Sequence, residues 1–307
     1  MKNCLLQPAT LKNGDKVALI APSSPPSCVS HVDFAVAYLQ SLDFVVAEGA
    51  SCRAAYGYLA GDDNLRANDV NWAFGDESIQ GIFCLRGGYG TARILDKIDY
   101  NAIRRNPKFF CGYSDITALH TAINQKAGVM TFHTPMVGEK GFDAADAYTL
   151  KHMHKYIYKT DIRGKIKNPG GHRWEFLVPG MAEGVLCGGN LSVMVSLMGT
   201  AYEPDTAGKI IFIEEIGEKP YRIDRMLNQL HMAGKFDACA GVIFGDFADC
   251  APNNPARSLT VKEIMQNLHF NVPVMYNFRC GHCLPTASLP MGATARLDST
   301  LDTLIIL

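Results

Sequence analysis

The first 160 residues alternate short apolar runs with segments of helical spacing. Val17-Ala18-Leu19-Ile20-Ala21 is a continuous apolar run and predicts a strand, stopped by Pro22-Ser23-Ser24-Pro25-Pro26. Phe34, Ala37, Tyr38 and Ser41-Leu42 then follow helical spacing, and Val45-Val46-Ala47 predicts a second strand. Asp62 to Phe74 reads as a polar-faced helix with Leu65, Val70 and Trp72-Ala73 on or near its buried stripe. Gly81 to Leu85 predicts a third strand, with Arg86-Gly87-Gly88-Tyr89-Gly90 as its turn, and Phe109 to Cys111 a fourth. Continuous apolar strands alternating with helices predict a parallel sheet covered on both faces.

Asp143 to Tyr158 also has helical spacing. From Lys159 to Pro179 the pattern breaks into charged, Gly and Pro residues, which marks residues 161–179 as a linker between units at 1–160 and 180–307. The second half restarts with Gly184-Val185-Leu186-Cys187 and a helix from Asn190 to Met198. Lys209 to Ile213, Gly241 to Gly245 and Val272 to Tyr276 predict strands. Ile223, Met226-Leu227, Leu230 and Met232 suit one helix face. The expected class is α/β, with no internal repeat.

Composition adds boundaries to this picture. A chain of 307 residues accommodates two cores, and its 48% hydrophobic and 19% charged content is ordinary for a globular protein. A formal net charge of -1 offers no basic field for nucleic acid or an anionic membrane. No apolar run approaches a bilayer span, and the segment Met1 to Pro8 is too poor in apolar residues for a signal peptide, so a cytosolic protein is expected. The ten cysteines are scattered, mostly within apolar segments, where a free thiol behaves as a small hydrophobe. Cys280-Gly281-His282-Cys283 is a C-x-x-C. Leu284-Pro285-Thr286 follows it where a redox motif would open a helix, and no second pair completes a zinc site.

Candidate chemistry concentrates at strand ends. Phe109-Phe110-Cys111-Gly112-Tyr113-Ser114-Asp115, followed by the helical run Ile116 to Ile123, reads as strand, tight turn, serine, helix. That geometry lifts a hydroxyl to the top of a sheet, although Asp115-Ile116 stands where the common elbow has glycine. A plain helix cap is the competing reading of Ser114. In the turn Arg86 to Gly90, glycines let backbone amides approach a ligand; Gly88 and the amide of Asp115 form a candidate oxyanion pair. The register of a nucleotide loop is missing there, and no cofactor is expected. Glu214-Glu215 close an apolar strand and Glu218 follows; Glu214, next to the buried run, is the carboxylate best placed to be held rigidly. His282 lies in a Gly-flanked loop, with His120 and His133 as rivals for the role of base. His152 and His154 sit in a helical segment where both rings cannot face one ion, and no metal site is expected.

Taken together, these blocks resemble the serine LD-carboxypeptidases, a family that includes murein tetrapeptide carboxypeptidase and the microcin-immunity peptidases. The resemblance runs nearly end to end. It rests on Ala18 to Ser23, Leu85 to Gly90, Cys111 to Ala118, Gly188-Gly189-Asn190-Leu191, Phe212 to Leu227, Gly281-His282 and Leu289-Pro290-Met291-Gly292. It implies a Ser114–His282–Glu214 triad with an oxyanion hole near Gly88 and Asp115. It also implies a parallel-sheet α/β amino-terminal domain holding the serine, a β-rich α/β carboxyl-terminal domain holding Glu and His, a site between them, and a homodimer. Departures are Glu215, where many members carry Asp, and the cysteines around His282.

The resemblance further implies hydrolysis of the amide between an L-centre and a terminal D-amino acid. The expected substrate is a murein tetrapeptide losing D-Ala during cytosolic cell-wall recycling. An exopeptidase must recognise a free carboxylate, and Arg86 beside the glycine turn is the candidate. Two alternatives stand beside this reading. One is a microcin-immunity-like peptidase acting on aminoacyl-nucleotides. The other is a non-enzymatic muropeptide-binding or redox protein using Cys280 and Cys283.

Overall fold

The computed structural model describes residues 5–307; the expectation about a leader falls partly on residues 1–4, outside the described residues. Two compact units emerge. The first runs to Ile162 and takes back Ser288–Gly292, and the second holds Arg163–Ala287 and Ala293–Leu307.

In the first unit the strands are β1 (Lys16–Ile20), β2 (Val45–Glu48), β3 (Ile79–Cys84), β4 (Phe109–Gly112) and β5 (Thr131–His133). The helices are α1 (Ser30–Ser41), α2 (Asp63–Gly75), α3 (Tyr100–Arg105), α4 (Thr117–Ala122) and α5 (Ala147–Tyr158). The second unit contains β6 (Gly164–Ile166), β7 (Glu175–Val178), β8 (Met181–Asn190), α6 (Leu191–Ser196), β9 (Lys209–Ile216), α7 (Pro220–Met232), β10 (Gly241–Ala248), α8 (Val261–Asn267) and β11 (Val274–Tyr276). The chain then crosses back for β12 (Leu289–Met291) and returns for β13 (Thr294–Asp298) and β14 (Thr303–Ile306).

The first sheet has the order β12-β5-β4-β3-β1-β2. Its pairs from β2 to β5 are parallel, as the apolar strands predicted, and β12 closes the edge antiparallel to β5. Phe83, Phe109, Phe110 and Phe132 are fully or almost fully buried in it. The expected unit 180–307 includes Leu289–Met291, which joins the first sheet instead. A three-residue strand of Leu, Pro and Met carries no pattern that assigns it to one sheet over another.

The second sheet is mixed, with the order β6-β14-β13-β8-β9-β10-β11-β7. Its centre from β8 to β11 is parallel and its flanks are antiparallel. The expected linker 161–179 contains two of its outer strands, β6 and β7. Edge strands are short and tolerate charge and glycine, so they read as loop. One face of the sheet is covered by α6, α7 and α8 through a core that includes Ile211, Ile213, Leu227, Leu230 and Phe244. Met232, placed by its spacing on the buried face of α7, is 80% exposed, because the face runs through Ile223, Leu227 and Leu230. No helix among the described residues is long and apolar enough to cross a membrane.

The polar-faced helix α2 begins where expected, with the Asp62 carboxylate accepting from the Leu65 amide at 2.8 Å. Two of its charged residues are nevertheless buried, Arg66 and Asp69. Asp69 Oδ2 accepts from the Ser51 amide at 2.7 Å. Under β4, the ring of His120 is fully buried, and its Nε2 donates to the Gly112 carbonyl at 2.9 Å.

Burial pushes the His120 imidazole down to about 4. In the unfolded chain it titrates near 6.5. The folded value is the lower one, so the unfolded state takes up the proton first. Stability is complete above about 6.5 and is lost as pH falls from there to about 4. The expected loss from this one group is on the order of 3 kcal/mol. Urea unfolding at a series of pH values should show a smaller acid loss in His120→Gln than in the wild type. Equal slopes would refute the assignment.

Candidate active site

Ser114 follows β4 by two residues. Gly112 ends the strand where a side chain has no room: a Cβ there would lie 2.9 Å from Ile116 and 3.1 Å from Cys84. Tyr113 is extended, and Ser114 then turns into the left-handed region at φ 61°. A non-glycine residue in that region is uncommon and costs on the order of 1–3 kcal/mol. The tight turn is the one that the G-x-S pattern predicted, and the left-handed conformation of Ser114 is what the structure adds to it. One turn of 3-10 helix, Ser114–Ile116, leads into α4.

The glycine turn after β3 lies directly against this serine. A Cβ on Gly87 would sit 2.8 Å from Ser114 Cβ and 3.0 Å from its Oγ. Sequence reasoning singled out Gly88, but Gly87 is the glycine that makes the close approach. Gly88, at φ 112°, packs instead against Ser24. Arg86 turns back on its own loop, with Nε 3.2 Å from the Gly87 carbonyl and Nη1 3.1 Å from the Pro25 carbonyl. The Asp115 side chain points inward and is 4% exposed.

In the second unit, Glu214 lies near the carboxyl end of β9 and is completely buried. Its Oε2 lies 2.7 Å from His282 Nδ1. A carboxylate can only accept, so the ring carries its proton on Nδ1 and leaves Nε2 as the acceptor. Glu214 Oε1 has no hydrogen-bond partner among the described residues.

Backbone irregularity brings the two residues together. The β9–β10 register slips between Phe244 and Phe247, so Gly245 and Asp246 together oppose Glu214. The loop that carries His282 docks there: the Phe278 amide donates to the Phe244 carbonyl at 3.1 Å, and the Asp246 amide to the Cys280 carbonyl at 2.9 Å. A Cβ on Gly245 would strike the Cys280 carbonyl at 2.5 Å. One on Gly281, at φ 125°, would strike Glu214 Oε2 at 2.8 Å. Arg279 braces the loop through Asp246 Oδ1 at 2.7 Å and the Leu284 carbonyl at 3.1 Å. Burial pushes the Asp246 carboxyl up, against the pull of Arg279.

The neighbouring carboxylates have other partners. Glu215, one residue along the strand, faces the opposite side and holds α6. Its oxygens accept from Asn190 Nδ2 at 3.0 Å and from the Ser192 amide at 2.8 Å. Glu218 is paired with Arg222 at 3.4 Å. His120 is committed to the Gly112 carbonyl, and His133 is buried in the β5 strand beside it. Both C-x-x-C thiols donate to backbone carbonyls, Cys280 to Ala287 and Cys283 to Pro285. Burial pushes the first well above its ordinary value and the second up to about 12. Neither is poised as a nucleophile. Among the described residues, no group of His, Cys, Asp and Glu is arranged to hold a metal.

Comparison with known proteins matches both units. Residues 17–134 match the LD-carboxypeptidase N-terminal domain and residues 183–297 the LD-carboxypeptidase C-terminal domain. The "probable murein peptide carboxypeptidase" of Bacillus subtilis strain 168 is 40% identical over 304 residues, covering 98% of this chain and 94% of that protein. This chain belongs to the LD-carboxypeptidase family. The murein tetrapeptide carboxypeptidase of Pseudomonas aeruginosa is 29% identical over 298 residues, 92% of this carboxypeptidase and 93% of the relative. The solved Microcin C7 self immunity protein MccF, in complex with aspartyl sulfamoyl adenosine, superposes with a TM-score of 0.87 at 25% identity over 98% of each chain. The carboxypeptidase is thus of the serine type, with an α/β parallel-sheet unit followed by a β-rich α/β unit.

Two outcomes are expected from this geometry. Gly281→Ala should push the His282 loop off Glu214 and lower kcat by on the order of 10²-fold, which steady-state hydrolysis of a peptide ending in a D-amino acid would measure. Turnover near wild type would show that the close approach is dispensable. Near neutral pH, iodoacetamide should modify Cys28 first among the described cysteines. Cys28 is exposed and its thiol is lowered by hydrogen bonds from Ser30, whereas Cys280 and Cys283 should react slowly. Peptide mass mapping against time checks the order, and early modification of Cys283 would revive a redox reading.

Proposed function

We propose that the carboxypeptidase uses Ser114 as nucleophile, His282 as general base and Glu214 as the carboxylate that orients the base. The observation that carries this reading is the pairing of His282 Nδ1 with a wholly buried Glu214 at 2.7 Å. It sets the tautomer in which Nε2 accepts a proton. The left-handed turn at Ser114 supports the other half of the assignment.

In the proposed reaction, His282 Nε2 takes the hydroxyl proton as Ser114 Oγ bonds to the amide carbonyl carbon. The amides of Gly88 and Asp115 donate to the developing oxyanion. The imidazolium, stabilised by Glu214, gives its proton to the departing amine, and the C–N bond breaks to release the terminal D-amino acid. Water, deprotonated by the same ring, then attacks the acyl-enzyme. The ester bond breaks and the proton returns to Ser114 Oγ. Arg86 is proposed to bind the substrate's terminal carboxylate, which would require its guanidinium to exchange backbone partners. Nucleophile and base are supplied by different units of the chain.

The proposed substrate is a murein tetrapeptide that loses D-Ala in cytosolic cell-wall recycling, in keeping with the names of the relatives above, and the proposed assembly is a homodimer. The likeness to the microcin immunity protein bound to an aspartyl sulfamoyl adenosine favours one second reading, hydrolysis of an aminoacyl-nucleotide. Measuring D-Ala release from murein tetrapeptide against cleavage of an aminoacyl-nucleotide distinguishes the two. Light scattering after gel filtration tests the dimer.

Ser114→Ala should lower kcat by at least on the order of 10⁴-fold, with the unfolding midpoint nearly unchanged. The wild type should be labelled at Ser114 by a fluorophosphonate. Near wild-type turnover in the variant would sink the assignment.

A further inference from the structure

Four stretches of chain that are distant in sequence meet beneath Ser114. Asp115 Oδ2 accepts from Ser23 Oγ at 2.6 Å and from the Thr91 amide at 2.9 Å. Thr91 Oγ1 returns a hydrogen bond to the Asp115 carbonyl at 2.5 Å. Arg66 reaches the same place from α2 and is fully buried. Its Nη1 donates to the Pro22 carbonyl at 2.7 Å and the Gly90 carbonyl at 2.8 Å. Its Nε lies 3.3 Å from the Gly61 carbonyl, and Nη2 pairs with Asp63. Ser24 completes the set: its amide donates to the Gly87 carbonyl at 3.3 Å, and its Oγ accepts from the Tyr89 amide at 3.1 Å.

We propose that Asp115, through its side chain, and Arg66 are positioning residues that hold Ser114 in its left-handed conformation and fix the Gly87-Gly88 turn against it. The proposal rests on Ser114 being the nucleophile. A strained non-glycine conformation persists only where its surroundings over-determine it. The residue next to Ser114 provides that constraint, because two donors converge on one oxygen of its carboxylate and a third ties its carbonyl. The same carboxylate grips the start of the segment after the glycine turn, at Thr91. Arg66 grips that turn one residue earlier, at Gly90, and also the loop after β1. A fixed planar fork suits this task, since a lysine presents one flexible point charge. Because Gly87 is in van der Waals contact with Ser114, a small shift of either loop changes the space around the hydroxyl. Misplacement by about 1 Å is enough to cost on the order of 10²-fold in rate. The sequence did not disclose this, since Arg66 falls in a helix that reads as polar-faced and Asp115 stands out there for its amide rather than for its side chain.

The test compares kinetics with stability. Steady-state hydrolysis of a peptide ending in D-Ala, the rate of fluorophosphonate labelling and the melting temperature are measured for Asp115→Asn, Ser23→Ala, Ser23→Thr and Arg66→Lys. Lys108→Met is the control. Lys108 is equally buried at the opposite end of β4, where its Nζ donates to the Ala73 carbonyl at 2.8 Å and the Asp76 carbonyl at 2.5 Å. Asp115→Asn should lower kcat about 10²-fold, with KM within about 3-fold and labelling slowed in parallel. Ser23→Ala and Arg66→Lys should lower kcat about 10-fold, and Ser23→Thr should restore most of it. Lys108→Met should lower the melting temperature while kcat stays within about 3-fold of wild type.

The proposal is overturned if Asp115→Asn keeps kcat within about 3-fold of wild type, or if Lys108→Met loses as much kcat as Asp115→Asn. Should Asp115→Asn fail to fold, Ser23→Ala decides: a kcat loss at constant KM supports the proposal, and unchanged kcat overturns it. An active Ser114→Ala would locate the failure in the nucleophile assignment. An inactive Ser114→Ala beside active Asp115 and Ser23 variants would locate it in the positioning role.

Discussion

Ser114 adopts a backbone conformation that an L-residue avoids, and the top of the first sheet is arranged around keeping it there. The parallel run from β2 to β5 delivers β4 to the turn, paired with β3 on one side and β5 on the other. Gly112 lets the chain fold over Ile116 and Cys84, and Gly87 lets the neighbouring turn come into contact. Asp115 then anchors the single 3-10 turn that leads into α4. Its desolvation is unfavourable and pushes its carboxyl upward, and the Ser23 and Thr91 donors oppose that push. A buried carboxylate is stable when its lone pairs are used, and here they are used on loops that border the serine.

The second unit solves a related problem by different means. Glu214 is a carboxylate with no exposed surface on a strand at the middle of an eight-stranded sheet. Such a group needs a partner that can share its charge. His282 supplies one, but from a loop that ordinary strand pairing would hold away. The bulge at Gly245-Asp246 and the missing side chains at Gly245 and Gly281 let that loop close onto β9. The Arg279–Asp246 pair and the Asn168–Arg279 hydrogen bond of 2.9 Å tie it down on the outer side. Pairing and close approach together select one of three nearby glutamates. Alternation along the strand sends Glu215 to α6, and Glu218 lies beyond the strand end.

The periodicity of the first half was sufficient to identify its architecture. Apolar runs such as Val17 to Ala21 and Phe109 to Cys111 lie in a parallel sheet because only a strand covered on both faces can be apolar throughout. The tight turn before Ser114 was legible as well, from the glycine two residues before it and the helical run after it, whereas its left-handed conformation was not, since a plain helix cap fits the same residues. The run Lys159 to Pro179 was not legible as structure. Its strands are three and four residues long and lie at the edges of their sheet, where neither alternation nor apolarity is required.

Local sequence therefore determined the apolar central strands, where the tight turn before Ser114 falls and which carboxylate adjoins a buried run, because short-range sterics and the two-residue period of a strand act within a few positions. Only the tertiary structure decided that Leu289–Met291 returns to the first sheet and that Gly87 is the glycine touching Ser114. It also decided that Arg66 and Asp115 are buried. These outcomes depend on contacts between segments tens of residues apart. A charged side chain carries no local mark that says whether water or a set of converging carbonyls and amides will satisfy it.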